Sequence, residues 1–462
     1  MIIVTASDAP SGVPIVRLNS ETETAIWTTT DEGQCLNYGI GEKEVDRDRF
    51  SQICRGVVIE VQRQKISEIV LDFQDFLDIS ADTESPAYVL GIDLQLASYQ
   101  SGKYKTTKGG YGGLESVTVI NADDYANLLF AGSEVGLGTN QCRELVDEPS
   151  NLLDPMGLYE RAQVLAYETP AKVTVLGYEH LKSEGYGLLC AVGQGAANPP
   201  CLIEVSYMGG GEKVPPVVIV GKGITLDTGG TDLKLSGAIQ GMQKDMGGGA
   251  AAIMAVIIAA RLKLPVNVIA VVPAAENLVS STCYRTCDVR TGLDGRTVEV
   301  RNTDAEGRLV LSDGIVHAIR TYDPSLLVTV ATLTGAVRIA LGSLHTGLFS
   351  SDEDFAGLMT AWGVESGNPV CLLPHKGYES YLESSVADIA NVQAGGGKDG
   401  GACVAAAFLA QAAKPLRGIF AHLDIAGTAM EGSGKDGLLK GAATGTPVPL
   451  LVRMLEGFVL DV

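Results

Sequence analysis

Three short segments crowd charged side chains between glycine-rich turns and apolar runs: Val220–Lys234 (VGKGITLDTGGTDLK), Gly241–Gly249 (GMQKDMGGG) and Val300–Ile315 (VRNTDAEGRLVLSDGI). They offer Asp227, Asp245, Asp304 and Glu306 as candidate ligands. Carboxylates gathered without counter-charge repel one another and their pKa values rise. Divalent cations remove that cost, and two ions a few ångströms apart could share bridging carboxylates. Lys222, two residues past an apolar strand, could join such a centre only as a neutral amine, a state that adjacent dications favour. Asp304 and Glu306 lie in a stretch that reads as extended, which would turn both side chains to one side. Water on such ions is a hydroxide-like nucleophile at neutral pH, so the chemistry open to such a centre is hydrolysis. No histidine lies within the three segments, so an HExxH zinc site is not indicated. Singly, each residue has a plainer reading: a turn or helix cap for an aspartate after a strand, a surface charge for Lys222, an ion-pair partner for Arg308.

The elements that must position these residues alternate. Pro216–Val220 (PVVIV) reads as a fully apolar strand of a covered sheet, followed by a long loop. A glycine run then opens an Ala/Ile-rich helix through Leu262. Val266–Val272, Thr297–Arg301 and Leu326–Leu333 read as strands, and Gly307–Arg320 as a helix. A helix at Ala402–Ala413 and a strand at Gly418–Ile425 follow. The fold class is α/β, with a central mixed sheet flanked by helices, and sites in such folds form at the carboxyl ends of strands. Upstream, residues 1–135 read as a smaller α/β domain, with strands at Ile66–Phe73 and Ala87–Leu96 and a helix at Glu42–Gln62. Residues 136–160 read as a linking helix and turn, leaving 161–462 as the catalytic domain.

The chain has 462 residues and a net charge of -21, which argues against nucleic acid as the main partner. Nine scattered cysteines without a CxxC suggest free thiols in a reducing cytoplasm. The N-terminus reads as a strand rather than a signal peptide, and the most apolar window, Ala250–Ala260, is too short to span a bilayer, so no membrane partner is expected.

The octapeptide NTDAEGRL at Asn302–Leu309 stands with Lys222, then Asp five residues later, Lys twelve later and Asp twenty-three later. ENL at Glu276–Leu278, ATLTGA at Ala331–Ala336, HLDIAG at His422–Gly427 and AATGTPV at Ala442–Val448 accompany them. In these motifs, over residues 140–462, the chain resembles the leucyl aminopeptidase family. The resemblance implies a metalloaminopeptidase with two divalent ions per subunit, Zn²⁺ or Mn²⁺ and possibly Mg²⁺ or Co²⁺. It implies that Asp227, Asp304 and Glu306 hold the looser ion and Lys222, Asp227, Asp245 and Glu306 the tighter one. Lys234 would stabilise the oxyanion, and Arg308 would hold a bicarbonate acting as general base. Met242, Thr332, Gly335 and Ala426 would line a hydrophobic pocket for the first side chain. Peptide substrates and a homohexamer are expected on the same ground. Two departures stand out: the usual Ser-Ile before the second lysine is Asp232-Leu233, and the customary Pro-Gly before Asp288 is Thr286-Cys287. The extra acid, Asp232, is expected to favour basic or polar substrates. Two other readings remain: a two-metal phosphoesterase, which Lys222 and the NTDAEGRL context argue against, and a catalytically weak or non-enzymatic binding protein, which loss of a ligand would have supported.

Overall fold

Short runs rich in β-branched and other apolar residues, such as Val217–Gly221 (VVIVG) and Leu326–Ala331 (LLVTVA), set the main sheet. The computed structural model describes residues 2–30, 33–41, 45–80, 85–106, 113–235, 237–396, 399–430 and 441–460. The chain divides into two compact units, one built on Met1–Asn140 and the other on Gln141–Glu431 with Ala443–Val462.

The first unit holds strands β1 (Ile3–Ala6), β2 (Ile15–Asn19), β3 (Ile26–Thr30), β4 (Gly33–Gly39), β5 (Glu68–Asp72) and β6 (Ser116–Ile120). They form one sheet in the order β1-β6-β5-β2-β4-β3, parallel except for the β3–β4 pair. Its helices are α1 (Arg47–Arg63), α2 (Phe73–Leu77), α3 (Pro86–Ser98) and α4 (Ala126–Asp147). Asp46 starts α1 by accepting a hydrogen bond from Arg49 N at 2.8 Å. The stretch Ala87–Leu96, expected as a strand, is the body of α3. Proline opens this helix and every residue from Val89 to Ala97 is buried, so its apolar residues lie on all faces and show no helical period.

The second unit contains β7 (Lys172–Leu176), β8 (Cys201–Met208), β9 (Val217–Gly221), β10 (Gly223–Asp227), β11 (Asn267–Asn277), β12 (Val289–Thr291), β13 (Thr297–Glu299), β14 (Leu326–Ala331), β15 (Thr346–Ser350), β16 (Val370–Leu372), β17 (Ile389–Ala390) and β18 (Ile419–Asp424). The main sheet runs β16-β15-β18-β14-β9-β11-β8-β7, with β10 pairing alongside β11. Its centre, β18-β14-β9-β11, is parallel, and β8 and β15 join antiparallel, which makes it the mixed sheet expected. Two local expectations differ. The segment after Val220 is not all loop, because Gly223–Asp227 forms β10; and Thr297–Glu299 belongs to a separate three-stranded sheet, β12-β13-β17.

The helices here are α5 (Pro155–Ala166), α6 (Tyr178–Ser183), α7 (Gly187–Gly193), α8 (Gly247–Arg261), α9 (Gly307–Tyr322), α10 (Gly335–Leu341), α11 (Glu353–Glu365), α12 (Gly401–Ala412) and α13 (Val448–Leu460). Every residue of α8 from Gly247 to Ala260 is buried. Its opening glycines let it press on the sheet: a Cβ at Gly248 would stand 2.0 Å from the Val330 carbonyl oxygen. On the other side, α9 is fixed along its length. Asp313 accepts from the backbone N of Leu188, Leu189 and Leu293, each at 2.9 Å. His317 is held between Tyr186 OH at 2.7 Å and Glu204 Oε1 at 2.9 Å. No described helix is long and apolar enough to cross a membrane.

Candidate metal centre

Parallel strands place the first ligand. β10 and β11 pair in parallel, and past a register shift between Ile224 and Leu226 Asp227 lies beside Asn277 at their carboxyl ends. Asn277 Nδ2 donates to Asp227 Oδ1 at 2.8 Å and to the Thr303 carbonyl at 3.0 Å, tying the strand end to the NTDAEGRL segment. Gly229 N adds a second donor to Asp227 Oδ1 at 2.9 Å. Lys222 sits between β9 and β10, its backbone N bonded to Val330 O at 3.0 Å and its carbonyl accepting from Gly249 N at 2.8 Å. Asp245 follows a short turn two residues before α8, and Glu306 immediately precedes α9. Gly307 makes the close approach possible, since a Cβ there would lie 2.8 Å from both Cε and Nζ of Lys222.

The stretch from Asp304 to Glu306 is not extended as expected. Asp304 N donates to Asn302 Oδ1 at 2.7 Å, a turn built by the asparagine, and Glu306 already has helical φ/ψ of −77° and −34°. Even so, the turn delivers both carboxylates to one cluster of charges. Lys222 Nζ lies 2.6 Å from Asp245 Oδ2 and 2.8 Å from Glu306 Oε1. Lys234 Nζ lies 2.7 Å from Asp227 Oδ2 and 2.5 Å from Asp304 Oδ1. Asp227, Asp245 and Glu306 offer oxygens that all lie within 4.8 Å of one another, and all three residues are buried. Asp304 stands at the more open edge, with 33% of its side chain exposed, joined to Asp227 through Lys234.

The electrostatics follow from this crowding. Burial, then repulsion from Asp227 and Glu306, pushes the Asp245 carboxyl up to about 8 against the pull of Lys222. Burial and Asp227 raise Asp304 to about 6, tempered by Lys234. Burial works against a charged Lys222, yet Asp245, Glu306 and Asp227 outweigh it and raise its pKa; Lys234 is raised in the same way by Asp227 and Glu306. Glu306 Oε2 is buried without a hydrogen-bond partner among the described residues. An orphaned carboxylate oxygen inside a cluster of oxygens and one amine is the donor set that hard and borderline dications take. The residues therefore fit a divalent-cation centre.

Arg308 is buried in the first turn of α9; Nη1 donates to the Asn391 carbonyl at 2.8 Å, while Nε has no hydrogen-bond partner among the described residues. Burial lowers its pKa to about 10, against the attraction of Glu306 and Asp424. Thr332, expected to line a hydrophobic pocket, works on the centre itself: its hydroxyl donates to Asp245 Oδ1 at 2.7 Å and its carbonyl accepts from Lys222 Nζ at 3.1 Å. Met242 lies in the turn before Asp245, Gly335 opens α10, and Ala426 N donates to Asp424 Oδ1 at 3.2 Å. Asn277 and Thr303 lie in the ENL and NTDAEGRL motifs, which gave them no role, and Asn391 lies in none; the three hold the loops bearing the candidate ligands together.

Residues 140–452 match the model of the cytosol aminopeptidase family, catalytic domain. The chain belongs to that family. A probable cytosol aminopeptidase of Syntrophotalea carbinolica is 41% identical over 376 residues, covering 80% of this chain and 74% of that protein. Another, from Legionella pneumophila (strain Paris), is 37% identical over 435 residues, covering 93% and 87%. Among solved structures, the bottromycin maturation enzyme BotP in complex with Mn is 30% identical with a TM-score of 0.86, covering 97% of this chain and 100% of that one. The leucyl aminopeptidase resemblance is thus borne out, and membership makes the chain a metalloaminopeptidase, a hydrolase.

Proposed function

We propose that the chain removes N-terminal residues from peptides at a centre for two divalent cations held by Lys222, Asp227, Asp245, Asp304 and Glu306. The observation that carries this reading is the convergence of carboxylate oxygens of Asp227, Asp245 and Glu306 within 4.8 Å of one another, with Glu306 Oε2 buried and unpartnered among the described residues. Asp227, Asp304 and Glu306 would hold the looser ion, and Lys222, Asp227, Asp245 and Glu306 the tighter, with Asp227 and Glu306 shared. All five ligands lie within the proposed catalytic domain, 161–462. When bound, the cations would supply Lewis acidity and an activated water. An oxygen-rich donor set with one amine suits Mn²⁺, Zn²⁺, Mg²⁺ or Co²⁺.

The protein's own groups do the rest. Lys234 stays charged at neutral pH because Asp227 and Glu306 raise its pKa, and that charge would stabilise the oxyanion of the tetrahedral intermediate. Arg308 carries a buried, unpartnered Nε, a feature that supports its holding bicarbonate as the proton acceptor. Thr332 fixes Asp245 and Lys222 relative to each other through its hydroxyl and its carbonyl. Met242, Gly335 and Ala426, with the aliphatic part of Thr332, would receive the first side chain. A cytoplasmic homohexamer acting on peptides completes the proposal. A panel of aminoacyl-fluorogenic substrates tests it, assayed after chelation and after re-addition of Zn²⁺, Mn²⁺, Co²⁺ or Mg²⁺. Release of N-terminal residues that chelation abolishes and a cation restores is expected. Release that survives exhaustive chelation, or no release with any cation, refutes it.

A further inference from the structure

Asp232 and Thr286 stand where the family resemblance leads one to expect serine and proline, and the structure shows that they meet. Thr286 Oγ1 donates to Asp232 Oδ2 at 2.6 Å, across a sequence gap of 54 residues. The same oxygen accepts from Thr303 N at 2.7 Å, with Thr303 Oγ1 3.0 Å away. In return, Asp232 N donates to Thr303 Oγ1 at 2.8 Å, and Thr303 Oγ1 donates to Gly229 O at 2.6 Å. Thr303 immediately precedes Asp304, and Asp232 lies two residues before Lys234. The Asp304–Lys234 ion pair is therefore framed by one carboxylate oxygen that three groups approach.

The local backbone says why this chain needs the contact. A Pro-Gly pair pre-sets a turn, with proline fixing one φ and glycine accepting a positive one. Here Cys287 takes the positive value itself, φ 75°, without glycine's freedom. Thr286, lacking a ring to stiffen the turn, supplies a hydroxyl that reaches Asp232. Asp232 stays exposed, but its Oδ2 is engaged by the protein's own donors, Thr286 Oγ1 and Thr303 N. The hydrogen bonds from Thr286 and Thr303 hold its pKa below the usual range despite partial burial, consistent with a permanently charged acceptor.

We propose that Asp232 is a positioning residue for the outer half of the centre, Asp304 and Lys234, acting through a pin that Thr286 completes. The inference rests on the two-cation reading above. It assigns Asp232 a different role from the expected one of favouring basic or polar substrates.

The test is a Mn²⁺ titration of the metal-stripped full chain by calorimetry, run beside steady-state kinetics and thermal melting. The variants are D232A, D232N, T286V and T286S. D232A is expected to weaken the weaker of two Mn²⁺ steps by about tenfold or more, the range seen when a group orienting a metal ligand is removed. It should lower kcat more than it raises KM. D232N restores most of the loss, because an amide oxygen still accepts from Thr303 N and Thr286 Oγ1. T286V reproduces part of the D232A effect and T286S does not. Wild-type Mn²⁺ binding and kcat in D232A overturn the proposal. So does a loss confined to KM for substrates beginning with Lys or Arg, which would mean that Asp232 touches the substrate. Equal weakening of both Mn²⁺ steps that D232N fails to relieve also overturns it, as general collapse. Fewer than two Mn²⁺ bound by the wild type would instead remove the centre itself, and this inference with it.

Discussion

Gly307→Ala is the sharpest single probe of the centre. The added methyl would start 2.8 Å from Cε and Nζ and 2.9 Å from Cδ of Lys222, well inside ordinary contact. A free lysine would swing away at little cost. This one is 3% exposed and fixed by Asp245 at 2.6 Å, Glu306 at 2.8 Å and the Thr332 carbonyl at 3.1 Å. Reaching normal contact requires a shift of roughly half an ångström or more, and overpacking of that kind costs about 1–3 kcal/mol. The same shift takes the amine off the position from which it would meet a cation. Affinity at the Lys222 side is expected to fall about 10- to 100-fold, the usual consequence of misplacing a ligand's support. Competition against a fluorescent chelator reads the affinity and urea denaturation reads the stability. Gly357→Ala is the control, since nothing lies within 4 Å of its added Cβ and a helical alanine is favourable. G307A protein with wild-type affinity and wild-type stability would refute the reasoning, because the methyl would then have found room that the structure denies it.

Two further outcomes concern the fold. Burial alone would raise the Glu204 carboxyl, but hydrogen bonds from His317, Tyr322 and Thr174 and attraction to His317 hold it below the usual range. A depressed folded-state value contributes stability that is present above the unfolded value of about 4.3 and lost as pH falls through the folded one. The urea midpoint should therefore drop below about pH 4.3, and Glu204→Gln should flatten that part of the profile; an unchanged acid slope in E204Q would contradict the assignment. Cys287→Gly relieves a left-handed φ of 75° at an exposed position and is expected to stabilise the chain by about 1 kcal/mol, read as a raised urea midpoint. A lowered midpoint would show that the thiol contributes more than the backbone strain removes.

The candidate centre was legible in the sequence because its proposed ligands occupy short polar segments between apolar elements. Asp227 and Lys222 frame β10, Asp245 lies two residues before α8 and Glu306 directly precedes α9. Convergence of those strand ends follows from a sheet whose centre is parallel. Other features were hidden for physical reasons. The all-round burial of α3 removes the periodicity that distinguishes helix from strand. Asp304 and Glu306 share a side through a turn closed by Asn302, not through strand alternation. Asn277, Thr303 and Asn391 act on backbone carbonyls and carboxylates far along the chain, such as Gly229 from Thr303 or Asn302 from Asn391, and no local spacing encodes such partners. Asp232 and Thr286 were each visible as departures from the family pattern, but their pairing was not, because it depends on how two distant loops close.

The bonds along α9 bear on how this protein meets its cations. Glu306 and Arg308 project from the first turn of a helix gripped further along by Asp313 and His317. Such a rod can neither slide nor roll unless buried hydrogen bonds are surrendered elsewhere. The proposed coordination cage would thus be cast by the folded chain before any ion arrives, and an arriving ion would take the place of a proton on Lys222 instead of recruiting loops.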